Sequence, residues 1–196
     1  MGYIRLIDKE HQDKFKMVWD KGNYRGGSTA LRMANKIFSL IPETATINDY
    51  GCGTGRAEVE IHKYRPNQYI LMIDITKDAV EQEALNLIED ISSHILFKEA
   101  DLSDLGDIEK TDWGICINTL MTVQKDKLDI ILSEIKRTCN NLTIEMYDLP
   151  DNRLGMDLTT VKMNKVEWKE KLLKYWKEVL FEQSIEPPHR YIFVCK

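Results

Sequence analysis

Apolar positions along the chain change period repeatedly. Leu31, Ala34, Ile37, Phe38 and Ile41 fall at helical spacing, with Ser28 or Thr29 placed to cap the helix and Pro42 to end it. Residues 46–50 then read as a strand entering a glycine loop, and residues 57–64 as the helix leaving it, closed by Arg65-Pro66-Asn67. Tyr69-Ile70-Leu71-Met72-Ile73 is a continuous apolar run ending at Asp74, the pattern of a strand covered on both faces. A helix capped by Thr76 follows, carrying Val80, Ala84, Leu87 and Ile91 on one side. Strands are predicted at 95–97, 113–117 and 142–147, with a helix marked by Leu128, Ile131, Leu132 and Ile135 before the last of them. Residues 148–163 have no period. Asn164 and Glu167 form a capping box for a helix bearing Trp168, Leu172, Trp176 and Val179. Two final strands, 180–185 and 191–195, are split by Pro187-Pro188-His189, which suits a hairpin and so antiparallel pairing.

Strands alternating with helices predict an α/β fold, a mostly parallel sheet with helices on both faces and an antiparallel C-terminal edge strand. Ahead of it, residues 8–19 pattern as an amphipathic helix with Phe15, Val18 and Trp19 as apolar contacts. The chain therefore divides into an N-terminal helical lid, residues 1–27, and one domain, residues 28–196.

Composition narrows the chemistry. Of 196 residues, 43% are hydrophobic and 30% charged, so a folded domain is expected. Lys and Arg number 27 against 32 Asp and Glu, a net charge of −5, which lacks the basic excess of a dedicated nucleic-acid binder. The lysines at 162, 165, 169, 171, 174 and 177 outnumber Glu167 and Glu170, a stretch read as a solvated helix face. Cys52, Cys116, Cys139 and Cys195 form no C-x-x-C pair, so neither a zinc site nor a disulfide framework is indicated, and a reduced, cytoplasmic setting fits. His11, His62 and His94 lack metal-site spacing, and no metal is expected. No apolar run reaches membrane-spanning length.

The most informative string is Asp49-Tyr50-Gly51-Cys52-Gly53-Thr54-Gly55-Arg56, between a predicted strand and a predicted helix. Glycines there let the backbone turn sharply and approach a ligand, and the helix start offers free N–H groups. A dinucleotide fingerprint beginning at Gly51 would need a third glycine where Arg56 stands. No P-loop string occurs.

The pattern acid-x-Gly-x-Gly-x-Gly resembles the first motif of the class I S-adenosylmethionine-dependent methyltransferases, matched by Asp49, Gly51, Gly53 and Gly55. The resemblance covers residue 46 to the C-terminus in the order of its elements and implies a Rossmann-like, seven-stranded sheet with a reversed last strand. It implies S-adenosylmethionine as cofactor, with Cys52 in the loop, Asp74 and the adjoining Ile75 at the ribose, and Asp101 with Leu102 at the adenine. It also places Asp112 like the opening of the fourth motif and Asn118 at the start of the reaction side. Tyr24, Arg25 and Ser28 are similar to residues upstream of the glycine motif in small methyltransferase-like proteins, including phage-encoded ones, although Thr29-Ala30 stands where those often have Pro-Gly. Arg25 is then a candidate partner for the cofactor's methionine carboxylate.

A sulfonium-activated methyl group needs alignment with a nucleophile more than it needs a base. Candidate bases are His189, in the last turn, and Glu145 and Asp148, in or after the fifth strand. Asn118-Thr119-Leu120-Met121 lacks the Asn/Asp-Pro-Pro-aromatic string of many amino-directed DNA methyltransferases. The resemblance thus implies methyl transfer to a small molecule, favoured over protein or RNA. The alternative is a non-catalytic S-adenosylmethionine-binding regulatory or scaffold protein. A nicotinamide-dependent oxidoreductase is disfavoured by Arg56.

Overall fold

In the computed structural model, which describes residues 9–20, 29–147, 161–183 and 190–196, the strands are β1 (Ile47–Tyr50), β2 (Ile70–Asp74), β3 (Ile95–Glu99), β4 (Thr111–Ile117), β5 (Cys139–Tyr147), β6 (Val179–Gln183) and β7 (Arg190–Cys195). They form one sheet in the order β3-β2-β1-β4-β5-β7-β6. The pairs from β3 to β5 are parallel, while β7 runs antiparallel to both β5 and β6. The reversed strand therefore lies one place in from the edge, with β6 outside it. From β1 the chain winds outward through β2 and β3, then crosses back to β4 on the other side of β1. That reversal opens a crevice at the C-terminal ends of β1 and β4, where open α/β sheets bind ligands.

Helices cover both faces. α2 (Thr29–Ser39), α3 (Arg56–Tyr64) and α4 (Gln82–Glu89) pack on one, through Ile37, Phe38, Ala57, Ile61 and Ala84 against Ile47, Met72 and Ile115. α5 (Leu128–Thr138) and α6 (Lys165–Leu172) pack on the other, through Ile131, Leu132, Ile135, Trp168 and Leu172 against Tyr50, Cys116 and Ile144. Double coverage explains why β2 reads as an apolar run rather than an alternation.

Two helices are shorter than their patterns. The segment after Thr76 is a single 3-10 turn, Lys77–Ala79, capped by Thr76 Oγ1 accepting from the Asp78 N–H at 3.2 Å. Val80 is extended, because the next N–H, that of Glu81, is drawn to Thr54 O in the glycine loop at 3.0 Å. α4 starts only after this crossing contact. α6 has the predicted capping box, with Asn164 Oδ1 accepting from Val166 and Glu167 and Glu167 accepting from the Asn164 N–H. It ends at Leu172, and Trp176 is buried from the turns that follow.

Within the predicted lid, α1 (Lys9–Asp20) is helical, as its pattern requires. Gln12 Nε2 donates to Ile75 O at 2.8 Å and to Glu99 Oε1 at 3.2 Å, and Lys16 pairs with Asp78 at 2.8 Å. α1 is thus anchored at the C-terminal ends of β2 and β3.

Candidate functional site

The glycine loop is held from below by its neighbouring strand. The Gly51 and Cys52 N–H groups both donate to Ile73 O, at 2.8 and 3.1 Å. Gly51, Gly53 and Gly55 have φ of +84°, +57° and +75°, a region that side-chain-bearing residues rarely adopt. Gly51 also has no room for a side chain, since a Cβ there would lie 2.3 Å from Thr119 Oγ1. A Cβ on Gly55 would lie 2.6 Å from that of Ala84, so this glycine sets how closely the loop approaches α4. Arg56, the residue that breaks the dinucleotide fingerprint, makes a bidentate pair with Glu81 at 2.6 and 2.7 Å. Together with the contact between Glu81 and Thr54, this fastens the start of α3 to the start of α4.

Asp74 closes the site on the β2 side. Its Oδ2 accepts from the Gly53 N–H at 2.9 Å. Burial pushes its carboxyl up to about 6, against the pull of the N–H groups of Gly53, Thr76 and Ile75. Its carbonyl accepts from Ala100, which brings the end of β3 and Asp101 alongside. Asp101 Oδ1 is engaged by the Ser103 N–H and hydroxyl, each at 2.8 Å, and Leu102 is buried beside it. Ile75 carries the carbonyl that anchors α1.

On the β4 side, Asn118 has φ of +57° and donates its N–H to Glu145 O at 3.0 Å. Its Oδ1 is buried without a hydrogen-bond partner. The next hydroxyl, that of Thr119, reaches Gly51 O at 3.3 Å, so the loop after β4 rests on the glycine loop. Asp112, matched in sequence to the start of the fourth motif, lies at the opposite end of β4. There it accepts from the Thr46 N–H and hydroxyl, which hold it below the usual carboxylate range. It fastens β4 to the entry of β1, away from the crevice.

Two buried charge pairs share the sheet face covered by α2 and α3. Asp49 on β1 and Glu58 on α3 are 3% and 0% exposed, and their carboxyls stand within hydrogen-bonding reach of each other. Burial raises both from their ordinary values, Asp49 well above its own. Farther along, Glu145 pairs with Arg190 at 3.1 Å, also fully enclosed.

The structure therefore gathers Asp49, Gly51, Cys52, Gly53, Gly55, Asp74, Ile75, Asp101, Leu102 and Asn118 around the C-terminal ends of β1 to β4. Glu145 lies one strand beyond, with its carboxylate committed to Arg190. Arg25, Asp148 and His189 lie outside the described residues, as do Tyr24 and Ser28. Sequence reasoning passed over Glu58, Arg190 and Gln12. Glu58 sits in a charged helical stretch that reads as solvent-facing, and the partners of the other two are distant in sequence.

The profile of a methyltransferase domain family matches residues 47–141, which run from β1 into β5. An uncharacterized protein of Rickettsia prowazekii (strain Madrid E), RP028, is 28% identical over 114 residues, 56% of this chain and 46% of that one. The match thus spans about half the length of that curated relative. Among solved structures, the 1,6-didemethyltoxoflavin-N1-methyltransferase of Burkholderia thailandensis superposes with a TM-score of 0.74 and 14% identity, covering 100% of this chain and 92% of that one. The magnesium protoporphyrin IX methyltransferase of Synechocystis PCC 6803 gives 0.61 and 14%, covering 99% and 85%. The methyltransferase domain of bacterial CtHen1-CN gives 0.67 and 12%, covering 85% and 99%. At these identities the likeness is one of fold.

Proposed function

We propose that the chain, whose residues 47–141 match the profile of a methyltransferase domain family, is a class I S-adenosylmethionine-dependent methyltransferase that binds S-adenosylmethionine over the glycine loop and methylates a small molecule. The observation that carries this reading is the Gly53–Asp74 contact. It couples the positive-φ loop to an acid at the end of the adjacent strand, with Asp101 brought alongside. The residues fit the cofactor: backbone N–H groups and partnerless buried oxygens of Asp49 and Asn118 border the crevice and can receive its polar groups.

The bound cofactor supplies a methyl group already activated by a sulfonium. Asp74 accepts from the ribose hydroxyls, Asp101 and Leu102 border the adenine, and Arg25 pairs with the methionine carboxylate. Gly51, Cys52, Gly53 and Gly55 keep the backbone close to the ligand, and Asn118 with Thr119 positions the acceptor side. Anchored at Ile75 and Glu99, α1 excludes water from the adenosine end. Glu145 orients Arg190 beside the acceptor side, which leaves proton removal to Asp148, to His189 or to solvent. A small acceptor is supported by the solved relatives with didemethyltoxoflavin bound or protoporphyrin in the name.

The test is transfer of a labelled methyl group from S-adenosylmethionine into metabolite fractions, followed by identification of the labelled product. Labelled small-molecule product is expected. Cofactor binding without any labelled product would instead favour a regulatory or scaffold protein. Absence of binding to folded protein would overturn the reading.

A further inference from the structure

Three acids converge beneath the glycine loop: Asp49 from β1, Glu58 from α3 and Asp74 from β2. All three act electrostatically on the Cys52 thiol that lies among them. Asp74 has donors in the Gly53 and Thr76 N–H groups. Asp49 and Glu58 are less well served: Asp49 Oδ1 and both oxygens of Glu58 are buried without a hydrogen-bond partner of normal geometry. Among the described residues, no cation acts on the titration of either carboxyl. Arg56, on the same helix as Glu58, directs its guanidinium to Glu81. Cys52 and Cys116, from the loop and from β4, are thiols that burial keeps protonated. Glu99, beyond Asp74, adds a further negative charge.

Two ionised carboxylates cannot face each other in such an enclosure at tolerable cost, but one proton between them supplies the missing donor. The proton is displaced when a positive charge arrives, because that charge then stabilises the second carboxylate. S-adenosylmethionine and S-adenosylhomocysteine both carry an α-ammonium group. We propose that the Asp49–Glu58 pair holds a single proton in the free protein and releases it to solvent when the ammonium end of the cofactor binds, so that cofactor affinity is coupled to pH through Glu58. The inference rests on the reading of this loop as the S-adenosylmethionine site. Burial pushes both carboxyls upward, the direction that favours a retained proton.

The experiment is titration calorimetry of the unmodified full chain near pH 7 in two buffers of different ionisation enthalpy. The ligands are S-adenosylhomocysteine and 5′-methylthioadenosine, which keeps the ribose and adenine but lacks the amino acid. S-adenosylhomocysteine should release close to one proton and methylthioadenosine none. Glu58→Gln should retain S-adenosylhomocysteine binding while losing most of the proton release. The affinity of unmodified protein for S-adenosylhomocysteine should also rise with pH, by up to about tenfold per unit, while that for methylthioadenosine stays flatter. This last measurement decides the matter if Glu58→Gln does not fold. Buffer-independent heat with S-adenosylhomocysteine, or equal proton release by both ligands, would overturn the coupling alone. Absence of binding by either ligand would overturn the cofactor reading and the coupling with it.

Discussion

Asp49–Glu58 and Glu145–Arg190 lie on the same face of one sheet and are equally enclosed, yet they obey opposite electrostatics. The β5–β7 pair joins unlike charges at 3.1 Å and ties the reversed strand to the parallel sheet. The β1–α3 pair joins like charges and holds α3 to the glycine loop at a cost in stability. A buried charge that is compensated builds structure, whereas one that lacks compensation marks a place awaiting something.

The sharpest way to break the contrast is Arg190→Met, which leaves the Glu145 carboxylate buried without its guanidinium. It should cost about 3–5 kcal/mol in urea unfolding. Replacing both partners, with Glu145→Leu added, should recover part of that loss. On the cofactor side, Asp74→Ala should weaken S-adenosylhomocysteine binding by about 1.5–3 kcal/mol, the worth of a charge-assisted hydrogen bond, as read by calorimetry. A loss of affinity no larger than that caused by an exposed substitution would remove Asp74 from the ribose.

The smallest effect is in the pH dependence of the free protein. Asp49, Glu58 and Asp74 are all raised on folding, so the folded state holds protons that the unfolded chain gives up above its ordinary carboxylate values near 4. Stability from this source is complete below those values and is lost as pH rises through the folded ones, about 6 for Asp74. Chemical denaturation from pH 5 to pH 8 should therefore show declining stability. Glu58→Gln should flatten the decline and gain about 1 kcal/mol at the alkaline end. A steeper decline in Glu58→Gln would show that the pair is compensated after all.

Much of the fold was legible because its signals are local. The Asn164–Glu167 box marks its own helix, and an apolar run ending in Asp74 marks a doubly covered strand. The glycine string marked the loop and, through resemblance, a mostly parallel seven-stranded sheet with a reversed last strand, but not the place of β6 outside that strand. What escaped was set by contacts distant in sequence. The spacing of Val80, Ala84, Leu87 and Ile91 satisfies a helix, but the Glu81 N–H finds Thr54 O in the glycine loop and breaks it. Glu145 alternates with Leu142, Ile144 and Met146 as an outward-facing strand residue would, yet both faces of β5 are covered and its partner is Arg190 on β7. Glu58 has neighbours that are charged and partly exposed, and nothing in the string separates it from them. Asp112 shows the converse, a motif-like position whose hydrogen bonds to Thr46 make it a fastening.

The four cysteines are all buried, and burial raises every thiol, so none is primed for attack while its surroundings stay closed. Three of them, Cys116, Cys139 and Cys195, sit in strands and become reactive only when the sheet opens. Cys52 sits in the glycine loop, held by one backbone bond to Ile73 and one to Gly55. The molecule therefore carries two clocks of different speed. Labelling of Cys52 reports the breathing of the loop, labelling of the other three reports opening of the sheet, and a ligand seated on the loop slows the first without needing to touch the second.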